Sequence, residues 1–236
     1  MTRSLRPFVR LAALAALVAP AARAQVGTLP ERSPFRDLEG KQELTLFTGL
    51  GGGRDAVGAA PNGGLALGVR YDLHISGPAL LTARLVRQGA ERDILTTRGV
   101  PPAGRVAGTV SQPLYLADLG LTLNLTGRKS WRNVVPSVTG GLGIAADFKN
   151  ASDSSQFRFG NRFALQFGGG VKWHAHGRWT VRADLLNYFY SVSYPGTFRI
   201  LAPVDGEQPI LPITSGLSRW TRNSMLTVGV TRTFGR

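Results

Sequence analysis

Residues 115–125 read Tyr-Leu-Ala-Asp-Leu-Gly-Leu-Thr-Leu-Asn-Leu. Tyr115, Ala117, Leu119, Leu121, Leu123 and Leu125 fall on one side of an extended chain, and Asp118, Gly120, Thr122 and Asn124 on the other. Successive side chains of a strand point to opposite faces, so this alternation marks a β-strand with one apolar and one polar face. The same period recurs along the chain, at residues 43–51, 63–74, 80–87, 134–148, 159–174, 179–190 and 226–234. Eight alternating segments result, an even number.

The connections alternate too. Residues 51–62, 88–112, 147–158 and 191–222 are long and polar or rich in Gly and Pro, whereas 76–78, 127–130 and 175–178 are short turns. Loops of 25 residues (88–112) and 32 residues (191–222) exceed what a hairpin needs, and loops of that length are usually functional or disordered. Long connections at one end and short ones at the other predict an all-β, eight-stranded antiparallel up-and-down barrel with short periplasmic turns and both termini on the periplasmic side.

Composition narrows the class. The 236 residues hold no Cys, which excludes a disulfide framework, a thiolate metal site and a Cys nucleophile. Residues 1–24 have the form of a secretory leader: Arg3, Arg6 and Arg10 precede the apolar run Leu11–Ala19, and Ala22-Arg23-Ala24 supplies a small-x-small cleavage site before Gln25. Cleavage removes four Arg and no acid, taking the formal charge from +14 to +10. The expected organisation is a leader (1–24), a periplasmic N-terminal segment (25–40) and a barrel (41–236). No later apolar run reaches the ~18–20 residues of a membrane helix. The Arg residues are scattered, with no basic stripe, so an exported chain of this kind points to anionic lipid headgroups and away from nucleic acid.

A soluble barrel also has one apolar face, so other features must decide for the membrane. Aromatics collect at the ends of the apolar faces: Tyr71, Trp173, Trp179 and Phe234 toward the short turns, Phe148, Phe159, Phe189 and Trp220 toward the long loops. That is the expectation for interface girdles. The polar face mixes charge with Gly, Ser and Thr, which suits a crowded lumen. With the apolar face outward, Glu43, Arg70, Asp72, Arg84, Asp118, Lys172, Arg182 and Asp184 point inward, four of each sign. This balance predicts a paired network filling the lumen, with a narrow gated path as the alternative.

With these features the chain resembles the small eight-stranded outer-membrane barrel proteins of the OmpA-transmembrane-domain, OmpX and OmpW type, over about residues 40–236. The segment Leu226-Thr-Val-Gly-Val-Thr-Arg-Thr-Phe234 looks like their C-terminal assembly signal, departing from it in the Gly235-Arg236 that follows. The resemblance implies insertion in the outer membrane of a Gram-negative-type bacterium. It also implies membrane lipids and lipopolysaccharide as partners, recognition by the assembly machinery through the last strand, and a monomer.

Chemistry is sparse. His74, His174 and His176 all fall at the short-turn end, away from any outer-leaflet reaction, and neither Gly49–Gly53 nor Gly140–Gly143 leads into a phosphate-binding helix. No catalytic, cofactor-binding or metal-ligating residue is expected. Three functions remain to be weighed: a non-enzymatic barrel with surface loops, passage of small apolar molecules through an upper lumen lined by Val86, Leu114, Leu116, Leu186 and Tyr188, and a lipid-A-modifying enzyme, which the His positions disfavour.

Overall fold

The computed structural model describes residues 33–53, 57–95, 106–148, 155–199 and 209–235; the leader and the Gln25 cleavage point lie outside them. Eight antiparallel strands form the barrel: β1 (Gln42–Gly53), β2 (Gly64–Ser76), β3 (Ala79–Gln88), β4 (Leu114–Asn124), β5 (Val134–Ala146), β6 (Asn161–His176), β7 (Trp179–Ser193) and β8 (Ser218–Phe234). Each pairs with the next, and β8 pairs with β1 from Asn223↔Gly53 to Phe234↔Gln42, which closes the sheet. Among the described residues no helix is long and apolar enough to cross a membrane.

The register fixes the geometry. A cross-strand row starting at Glu43 runs through Asp72, Thr82, Gly120, Gly141, Gln166, Tyr188 and Asn223, and meets β1 again at Gly53. The row therefore climbs ten residues toward the loops in one circuit. A stagger of this kind is what tilts the strands by ~35–45° from the barrel axis.

The outer face is a belt of exposed Leu, Val, Ile and Phe, including Leu46, Leu50, Leu85, Leu119, Leu142, Phe163 and Leu226. Soluble monomers seldom expose contiguous apolar patches beyond a few hundred Å². A belt around the whole barrel is a lipid-facing surface. The inner face carries the polar residues, with Arg70, Thr82, Thr122, Gln166 and Thr231 buried.

Three expectations are revised. Strand β8 begins at Ser218, not at 226, because residues 218–224 have polar groups on the outer face too and so lack an apolar alternation. Strands β6, β7 and β8 hold 16, 15 and 17 residues against 10 and 11 in β3 and β4. Since ~9–11 tilted residues cross a bilayer, the β6–β8 wall projects beyond it. Residues 88–112 are not a plain loop: Glu91–Leu95 pairs with Val106–Ser111 as a separate hairpin. Ahead of the barrel, where no strand was expected or excluded, Phe35–Asp37 pairs with Lys129–Trp131 in the β4–β5 connection. Finally, β6 starts at Asn161, because Gly160 with φ of 65° breaks the alternation that joined Phe159 to Phe163.

Leu121 is 51% exposed in the middle of the lipid belt, while Leu125 lies on the same face just past β4. Leu121→Arg is expected to cost ~2–4 kcal/mol and Leu125→Arg ~0–1 kcal/mol, because the penalty for a lipid-facing charge falls toward the interface. Urea titrations of the protein refolded in vesicles measure both.

Candidate functional site

Inward alternation on neighbouring strands brings all eight expected lumen charges into the barrel, where they form three groups, the first two of them linked. Asp72 is the hub of the first. Its carboxylate accepts from Arg70 Nε at 2.7 Å and Nη2 at 2.8 Å, from Thr82 Oγ1 at 2.5 Å and from Arg182 Nη1 at 3.3 Å. Arg182 Nε in turn donates to Asp184 Oδ2 at 2.5 Å. Gly170 lies beside Asp184, and a Cβ there would overlap that carboxylate. The glycine makes room for the ion pair.

Arg84 and Asp118 form the second group, directly opposite one another on β3 and β4. Arg84 Nε donates to Asp118 Oδ1 at 2.9 Å, and Nη2 donates to Gln166 Oε1 at 2.5 Å and Thr139 Oγ1 at 3.2 Å. Tyr188 donates its hydroxyl to Asp118 Oδ2 at 2.7 Å. Threonines tie the two groups together: Arg70 Nη2 donates to Thr122 Oγ1 at 2.7 Å, and Thr122 donates to Thr139 at 3.1 Å. The third group is Lys172 Nζ held 3.1 Å from both carboxylate oxygens of Glu43.

Four cations and four anions in one lumen matter energetically. An unpaired buried ion costs several kcal/mol, whereas a paired and hydrogen-bonded one approaches break-even. Charge balance lets the lumen be both polar and full. The threonines and Gln166 were not singled out by sequence reading, because uncharged polar residues on an alternating face look like filler, and Tyr188 was read only as part of an apolar upper lumen; only the register shows that they meet the ions.

Nearer the loops the lumen becomes apolar. Phe47, Val86, Leu114, Leu116, Leu186, Tyr188 and Met225 are buried there, and Leu95, Phe157, Phe159, Tyr194, Phe198 and Leu211 from the connections pack onto them. Gly68 faces Phe47, whose ring occupies the space a side chain at 68 would need. Arg92 Nε donates to Gln112, whose amide donates to Asp147, joining two of the loop connections. The Arg92 guanidinium also lies 5.3 Å from the Phe157 ring centroid, within cation–π range.

At the other mouth, residues 34–41 pass beneath the barrel. The Leu38 amide donates to the Arg128 carbonyl at 2.8 Å, Arg132 to Pro34 at 2.8 Å, Lys41 to Phe234 at 3.2 Å and His74 to Lys41 at 2.8 Å. The segment is thereby fastened to the β4–β5 connection on one side and to β8 and β2 on the other.

The aromatics divide. Trp173, Trp179 and Phe234 stand on the outer face near the short turns, with the Arg232 guanidinium 5.6 Å from the Trp179 ring and 5.3 Å from Phe234. Phe189 lies on the outer face of β7 and packs on Phe167 with centroids 6.3 Å apart. Phe148 is 75% exposed beyond the end of β5, against Tyr115. Tyr71 sits well inside the lipid belt, opposite Leu44 and Ala83, because β2 continues five residues past it before the turn. Trp220 lies on the projecting rim, two positions above Arg222 and six above Leu226. Phe159 does not belong to a girdle at all. It is fully buried, edge-on to Tyr190 with centroids 5.4 Å apart, because the Gly160 turn swings it inside.

His74 and His174 lie at the short-turn end, where Thr180 Oγ1 is 3.1 Å from His174 Nδ1. The side chain of His176 lies outside the described ones. Among the described residues no group of three or more His, Asp or Glu is placed to hold a metal.

No protein-family model and no curated protein matches the chain. Solved structures do. Neisserial surface protein A, NspA, aligns with a TM-score of 0.52 and 13% identity over 82% of this chain and 97% of its own. The outer membrane protein OprG of Pseudomonas aeruginosa aligns with a TM-score of 0.52 and 9% identity over 85% of this chain and 99% of its own. The fold is that of the small eight-stranded outer-membrane β-barrels. With its lipid-facing belt, the chain is built as a membrane-spanning β-barrel.

Arg84→Ala leaves Asp118 buried without its cation, and Asp118→Ala does the reverse; both side chains are 0% exposed. Each is expected to cost ~3–5 kcal/mol. The double variant is expected to cost clearly less than the two added, and a double-mutant cycle in vesicle refolding measures that coupling.

Proposed function

We propose that the protein is a non-enzymatic, closed barrel, which acts through the surface its loops present and through its place in the membrane and carries no solute. The observation behind this reading is the continuous filling of the lumen: a neutralised ionic network, an apolar plug above it and the N-terminal segment below. An eight-stranded barrel is only wide enough for side chains to fill it. Here each stretch of the lumen has residues of matching polarity to do so.

Lipids and lipopolysaccharide are its surroundings, the last strand is its handle for the assembly machinery, and it works as a monomer, since closure leaves no strand edge for a second copy within the bilayer. Passage of apolar molecules is the second reading. The residues that would line such a path, Val86, Leu114, Leu116, Leu186 and Tyr188, are the ones buried in the plug. Lipid-A chemistry is the third, and its base would have to come from the loop end, whereas His74 and His174 lie at the opposite end.

Planar-bilayer recordings of the full chain decide the matter. Conductance at the level of the bare membrane supports the closed barrel. Steady unitary conductance, or uptake of an apolar solute into liposomes above that of protein-free ones, overturns it.

A further inference from the structure

The lipid face is not uniform. Three successive outward rows cross β3, β4 and β5 as Arg87–Tyr115–Ala146, Leu85–Ala117–Ile144 and Ala83–Leu119–Leu142. Alanine occupies β5 in the first row, β4 in the second and β3 in the third. Each step from Ala83 to Ala117 to Ala146 moves one strand across, ~4.8 Å, and two residues up, ~6.6 Å. The step is thus inclined ~36° to the strands, which offsets a strand tilt of ~40°. Because register rows climb toward the loops from β1 to β8, the sideways component adds height. The three alanines therefore stack along the barrel axis, parallel to the membrane normal, rising ~8 Å at each step.

Larger residues flank the column on both sides: Tyr71, Leu85 and Tyr115 on one, Leu119 and Ile144 on the other. The result is a furrow, seen as two confluent depressions of 670 and 770 Å³ that share Leu85, Ala117 and Ile144. It has the direction and the apolar lining of an acyl chain.

Its upper end is polar. Arg87 is exposed on the outer face opposite Tyr115, and Asn161 stands opposite Ala146. Among the described residues, no side-chain hydrogen bond or ion pair engages the Arg87 guanidinium, the Tyr115 hydroxyl or the Asn161 amide. A guanidinium that no described residue engages, at the rim of an apolar furrow, suits a phosphate group, to two of whose oxygens it can donate parallel hydrogen bonds. The polar crown lies at the loop end of the barrel, so the occupant belongs to the outer leaflet.

We propose that this furrow is a binding site for lipid A, with an acyl chain along Ala83 and Ala117 as far as the buried Ala146 at its head, and a phosphate on Arg87. The site lies outside the barrel, so it holds whether or not the lumen conducts. Full-length protein refolded with equal amounts of bisphosphorylated lipid A and phosphatidylglycerol, then washed in detergent and weighed by native mass spectrometry, tests it. Wild type is expected to retain lipid A at least tenfold over phosphatidylglycerol. Ala117→Phe, which fills the furrow, and Arg87→Gln, which removes the phosphate contact, are each expected to abolish that preference. Ala183→Phe places the same ring on the lipid face of β7, away from the furrow, and is expected to leave it intact. Heat-modifiable gel mobility identifies the folded samples that enter the comparison. Equal retention of both lipids by wild type, or an equal loss in Ala117→Phe and Ala183→Phe, overturns the proposal.

Discussion

The pairing of β8 with β1 is the constraint on which the rest depends. In hydrocarbon an open edge would leave a row of amides and carbonyls without partners, each costing several kcal/mol. Closure removes that edge, and it does so with a stagger of ten residues, as the row from Glu43 to Gly53 records. The stagger decides more than strand tilt. It determines which inward side chains from non-adjacent strands converge, so that Arg182 on β7 reaches Asp72 on β2 across the lumen. A different stagger would keep every strand and dissolve the network.

Burying so many ions inside a closed wall is a burden that an apolar lumen would avoid. The arrangement limits it through hubs that serve several donors. Asp72 takes hydrogen bonds from two guanidiniums and a hydroxyl, and Asp118 is held by Arg84 and Tyr188. Charge-assisted hydrogen bonds of this kind are roughly twice as strong as neutral ones. They are also directional, so they define one packing of the lumen where an aliphatic filling would tolerate several. The apolar plug near the loops has the opposite character. It consists of side chains such as Phe157, Phe159 and Phe198 from connections that would otherwise lie open to water, and burying them orders those connections.

The strands and their faces were legible because lipid on one side and a polar lumen on the other impose opposite demands at every second residue. Where one of those demands lapses, so does the signal. Above the bilayer, β8 has polar groups on its outer face as well as its inner, and Ser218–Asn223 reads as loop. At Gly160 a single positive φ shifts the phase by which Phe159 was assigned to the lipid side. The eight lumen charges were legible as a set, since an ionisable group on the face away from lipid has only the lumen to occupy. Their partners on other strands were not. Whether Arg84 meets Asp118 or another acid depends on a register that no local pattern encodes.

The alanine column shows how far that gap extends. Ala83, Ala117 and Ala146 lie far apart in sequence and each is an ordinary member of an alternating strand. Nothing in any one segment distinguishes a small lipid-facing residue that shapes a furrow from one, such as Ala183, that does not. The distinction arises only when inter-strand register and strand tilt are combined, because a two-residue diagonal step happens to offset the tilt. The closure that brings Arg182 to Asp72 inside the barrel therefore also aligns three alanines outside it, and the two faces of the sheet share one geometric cause.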